Sequence, residues 1–91
     1  MSIKQVIVMR SDLGMRRGKM ISQGAHAALK VFLDQRVVDA HRMVIPVGDQ
    51  MIEWMDGDYT KICVQVSSEE ELDQIVAKAV EAELPCALVV D

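Results

Sequence analysis

The sequence predicts an α/β sandwich with at least three strands, some of them parallel, and three observations lead there. Apolar runs of strand length occur at Val6-Ile7-Val8-Met9 and at Cys86-Ala87-Leu88-Val89-Val90. Two helical patterns lie between them, one rich in small residues after Gly18 and one with apolar positions at helical period after Ser68. An alternating strand from Thr60 to Val66 separates those helices, an order that favours crossover connections and parallel pairing.

The elements follow in order. Ile3 to Arg10 is continuously apolar at its centre, which suits a strand covered on both faces. Ser11-Asp12-Leu13-Gly14 breaks the pattern before a helix from about Gly18 to Leu33. Ser22, Gly24, Ala25, Ala27 and Ala28 let that helix lie close to a sheet, and its pattern can run on through Val37-Val38 as far as Met43. Ile45-Pro46-Val47-Gly48 is a break, and Asp49 to Met55 reads as a short helix ended by Gly57, with Trp54 as a core plug. Thr60 to Val66 puts Ile62, Val64 and Val66 on one face. Ser68-Glu69-Glu70-Glu71 is a capping box, with Ser68 as N-cap and Glu71 reaching back; the helix it opens is stopped by Pro85. Cys86 to Val90 is the last strand, ending on Asp91.

Ninety-one residues suit one domain, 1–91, whose core must be aliphatic because Phe32, Trp54 and Tyr59 are the only aromatics. So few aromatics argue against a base-stacking surface. No apolar run approaches the ~20 residues of a membrane span, and charge arrives too early for a signal peptide. Cys63 and Cys86 lie in strand-like runs and read as buried free thiols of a cytoplasmic protein. Charge is unevenly placed. Through Arg42 eight basic residues face three acidic ones, a net +5; beyond it two face eleven, a net −9, and the chain totals −4. One basic face on an acidic protein permits a nucleic-acid partner.

Lys19, Gln23, His26 and Lys30 fall within an arc of about 60° on the first helix. Between them the helix is small or apolar, so the stripe reads either as a thin solvent-facing edge or as a polar groove floor with buried walls. A lysine there can stabilise an oxyanion or grip a phosphate, a histidine can move a proton, and a glutamine can orient either partner. Arg16 and Arg17 flank the helix N-terminus, whose N–H groups favour an anion. His41 has no partner pattern and reads as exposed. The chain contains no nucleophile elbow, dinucleotide fingerprint, Walker loop or Cys/His zinc spacing.

Two blocks carry a resemblance. "MRSDLGMRRGKMISQGAHAAL", from Met9 to Leu29, holds Gly18-Lys19 and then Gln23-Gly24-Ala25-His26-Ala27-Ala28, and is similar to the second type of peptidyl-tRNA hydrolase. "KICVQVSSEEELDQIVAKAVEAELPCALVVD" resembles the same family's strand, helix and strand ending in aspartate, leaving 34–58 as a divergent middle. The resemblance implies a three-layer sandwich with a mixed, partly parallel sheet, three strands in this chain and four in the family. It implies hydrolysis of the ester joining a peptide to the terminal ribose of tRNA, with no metal or organic cofactor. Lys19, Asp91 and His26 would be catalytic, and Gln23, Arg16, Arg17 and Lys30 would meet peptidyl-tRNA.

Two departures accompany it. Gly24-Ala25 stands where the family often has Cys-Ser, and the family continues past the aspartate into a threonine-bearing loop and a fourth strand. A form truncated at its C-terminus is therefore expected. The alternatives are a non-catalytic tRNA-end or small-ligand binding module, or an interaction domain that pairs with a second chain, such as a homodimer partner, through an open sheet edge.

Overall fold

The computed structural model describes residues 3–90. Strand β1 (Gln5–Arg10) leads into helix α1 (Arg17–Leu33). A hairpin of β2 (Val37–Asp39) and β3 (Arg42–Val44) follows, then α2 (Asp49–Asp56), β4 (Lys61–Val66) and α3 (Glu69–Glu81). The α/β class is as expected: a parallel pair and an antiparallel pair of strands accompany three helices.

β1 and β4 run parallel in the register Gln5↔Lys61 to Arg10↔Val66. Such a pair requires a crossover, and everything between the two strands serves as one. Gln5 donates from Nε2 to Ala28 O at 2.9 Å, so the odd-numbered side chains of β1 turn toward α1. Arg10 belongs to the other set and feels the charges of Glu69 and Glu70 on α3. The parallel pair thus has one helix against each face. Among the described residues only Met9, Trp54 and Val66 are buried hydrophobics, a thinner core than the 51% apolar composition suggests.

α1 stops at Leu33 rather than running toward Met43. Lys30 reaches both oxygens of Asp34 at 2.8 and 2.9 Å, and Arg36 Nη1 donates to the Leu33 carbonyl at 2.8 Å. Beyond them the β-branched pair Val37-Val38 takes the strand conformation it favours. The hairpin turn places Ala40 at a φ of 49°, and Arg42 meets Asp39 at 3.0 Å across it. Val37, Val38, Met43 and Val44 all remain exposed.

Trp54 is the plug expected of it, 5% exposed, with Nε1 donating to Thr60 O at 2.7 Å. Phe32 stacks on it at 6.1 Å between centroids and Tyr59 tilts against it at 4.5 Å. Lys61 Nζ lies 3.1 Å from the Tyr59 ring centroid. Gly57 ends α2 as expected; a Cβ there would stand 2.9 Å from the Glu53 carbonyl oxygen.

Ser68 caps α3 by accepting from Glu71 N at 3.1 Å. Glu71 does not return to Ser68; it accepts instead from Ser67 Oγ at 2.6 Å, one residue earlier. α3 ends at Glu81, and Glu83 turns the chain with a φ of 58° before Pro85 is reached.

Three expectations are corrected. Cys86 to Val90 forms no strand among the described residues; it and β1 both line a cavity of about 990 Å³. Without a neighbouring strand its N–H and C=O groups have no ladder to join. Cys63 and Cys86 are free but exposed. One lies on a strand paired along a single edge and the other in this unpaired segment. Ile62 and Val64 are also more than one-third exposed, so only the Val66 end of the predicted buried face is covered.

Candidate active site

The carboxyl end of β1 and the amino end of α1 meet through the loop from Ser11 to Arg16. Ser11 anchors it, donating from N and from Oγ to Val66 O at 2.8 and 3.0 Å. The Arg10 guanidinium then grips Asp12 through Nε at 3.1 Å and Nη2 at 2.6 Å. These bonds hold the Asp12 carboxyl below its ordinary range and push the guanidinium up. The loop is therefore fastened to both strands of the parallel pair.

Arg16 occupies the N-cap position of α1 with extended backbone, φ −73° and ψ 163°, and its side chain makes no capping bond. No acidic residue stands in the first turn. The N–H groups that open the helix thus face an environment of positive charge from Arg16, Arg17 and Lys19, all exposed. That arrangement suits an oxyanion or a phosphate. Asp91, the acidic residue expected beside Lys19, lies outside the described residues.

Further along α1 the stripe divides. Gln23 is half-buried and lines the large cavity together with Met15. His26 and Lys30 line a separate pocket of about 220 Å³ with Asp34 and Arg36. Lys30 is already engaged by Asp34 there. The rise of the helix sets His26 about 10 Å and Lys30 about 16 Å along the axis from Lys19. The buried walls expected beside the stripe are absent: no described residue of α1 is fully buried, and Ile21 and Leu29 are 72% and 55% exposed. Only the flank carrying Ala27, Ala28 and Val31 turns toward β1 and the large cavity. His41 is exposed, as expected.

The Arg10–Asp12 clamp was not singled out as a pair from sequence. Its signal was positional, since ligands of parallel sheets gather at the carboxyl ends of strands. Among the described residues no group of three His, Cys, Asp or Glu side chains could hold a metal ion, and no helix is long and apolar enough to cross a membrane.

Residues 3–91 match the family model described as peptidyl-tRNA hydrolase PTH2. The chain is 38% identical over 89 residues to a peptidyl-tRNA hydrolase of Methanocaldococcus jannaschii, covering 98% of this chain and 70% of that protein. It is 35% identical over 91 residues to one from Sulfurisphaera tokodaii, covering 100% and 72%. A third, from Aeropyrum pernix, is 40% identical over 90 residues, covering 97% and 68%.

Proposed function

This chain belongs to the peptidyl-tRNA hydrolase PTH2 family, and on that premise we propose that it hydrolyses the ester between a peptide and the terminal ribose of tRNA. The observation that carries the reading is the extent of the match, which takes in all but the first two residues and includes every residue of the stripe. Water adds to the ester carbonyl and loses a proton to a base. The resulting oxyanion collapses, the bond to the ribose oxygen breaks, and that oxygen takes up a proton, leaving free peptide and free tRNA.

Lys19 is the group we assign to the oxyanion, at the helix end where the backbone N–H groups add to its field. Asp91 orients the attacking water or takes its proton. His26, about 10 Å further along α1, meets the tRNA end beside the ester, and Gln23, which lines the large cavity, orients the substrate. Arg16, Arg17 and Lys30 meet phosphates of the tRNA end; the roughly 16 Å from Lys19 to Lys30 spans several phosphates of an extended strand. The reaction as written needs no metal or organic cofactor. Its substrate arises where translation takes place, which puts the protein in the cytoplasm, and 1–91 acts as one domain.

Release of diacetyl-lysine from diacetyl-lysyl-tRNA tests the assignment. Lys19→Ala is expected to lose about 100- to 1,000-fold in kcat, the usual effect of removing one oxyanion-stabilising group. Turnover unchanged in that variant would remove Lys19 from the chemistry.

A further inference from the structure

A chain with three aromatic residues has little to stack a base on, yet the smaller pocket at the end of α1 holds two other planar groups. His26 and Arg36 both line it, and unpaired RNA bases stack on imidazole rings and guanidinium planes as well as on Phe, Tyr or Trp. Leu29 and Leu33 supply apolar surface between them in sequence. Lys30 and Asp34 complete the lining, joined at 2.8 Å, so an ammonium donor and a carboxylate acceptor stand side by side. The volume of about 220 Å³ falls below the ~300–1,000 Å³ of pockets that enclose larger ligands.

Charge separates the two cations. Asp34 already neutralises Lys30 through both its oxygens. Arg36 spends Nη1 on the Leu33 carbonyl at 2.8 Å, a neutral acceptor, and keeps its positive charge. The pocket therefore carries one unmatched charge, on a group suited to phosphate.

We infer that this pocket seats one nucleobase of the single-stranded tRNA end, with Arg36 on the adjoining phosphate. The inference rests on the assignment of the ester to Lys19. From there the helix rise reaches His26 after about 10 Å and Lys30 after about 16 Å, which places the seated base a few nucleotides before the esterified ribose. The base lies against the planar groups and the two leucines, and its polar edge meets Lys30 and Asp34. A phosphate alone would leave Leu29, 55% exposed, uncovered. Because every base has a face to stack, the pocket recognises an unpaired strand rather than a particular sequence, and a base held in a duplex does not enter.

The test measures fluorescence anisotropy of RNA labelled at its 5′ end and titrated with the full chain. The tetranucleotide ACCA is expected to bind about tenfold or more tightly than the dinucleotide CA, which is too short to reach the pocket. Removing the base at one position of ACCA, with the backbone kept, is expected to cost about tenfold in the wild type. Leu29→Glu and Arg36→Gln are each expected to bind ACCA no better than that abasic form, and to be indifferent to the missing base. Leu29 stands clear of the helix end, so its variant reports the pocket even where Arg36→Gln loosens α1. An abasic series that binds the wild type as well as ACCA would overturn the inference. So would variants that lose affinity for ACCA and for the abasic RNA equally, which would make Arg36 a phosphate contact and nothing more. Release of diacetyl-lysine by the wild type is scored separately: release without any abasic effect removes the seat and leaves the hydrolysis standing, and an abasic effect without release does the reverse.

Discussion

Asp12 shows how a single carboxylate fastens the loop that leads to the candidate site. Its bonds to Arg10 hold its pKa below the 3.8 of an unperturbed side chain, so the folded state binds its proton less readily than the unfolded state. The stabilisation is therefore complete above the ordinary carboxylate range and is lost as pH falls through the lower, folded-state value. Melting temperatures of the wild type and Asp12→Asn should differ at about pH 5 and converge toward about pH 2. The chain announced Lys19, Gln23, His26 and Lys30 through their shared arc. It did not announce that Gln23 would open to one cavity and His26 with Lys30 to another. That division depends on which flank of α1 turns toward β1, a choice made by Gln5 and Ala28, 23 residues apart.

Capping chemistry made α3 the most legible helix in the sequence. Ser68→Ala removes the bond to Glu71 N and is expected to cost about 1 kcal/mol, whereas Ser68→Asp should keep most of it. Thermal melts measure both, with about 4–8 °C expected per kcal/mol for a domain of this size. α2 and β4 were equally readable, because Gly57 and strict alternation are local signals. The hairpin of β2 and β3 was not. Val37-Val38 fits either a helix or a strand, and the decision came from the Lys30–Asp34 and Arg36–Leu33 bonds that close α1. The last apolar run shows the opposite failure: Cys86 to Val90 has strand composition, but composition supplies no neighbour to pair with.

Charge is the property of the whole chain that bears most directly on a polyanionic substrate. The net +5 through Arg42 includes every basic residue of the loop and of α1, while α2 and α3 carry much of the negative charge. Binding of tRNA should therefore weaken steeply with salt. Replacing Arg16 or Arg17 by Ala should lower the slope of log affinity against log salt by about one phosphate contact each, without a preference for particular sequences. Titrations at several salt concentrations would read this directly. The aromatic cluster sits at the far end of α1 from Lys19, with Phe32 about 20 Å along the helix. Trp54, the only indole, therefore provides an intrinsic optical gauge. Its ring is screened from water, and the Nε1 bond to Thr60 ties it to the entry of β4. Its fluorescence reports whether α1, α2 and β4 remain docked, with no dye attached.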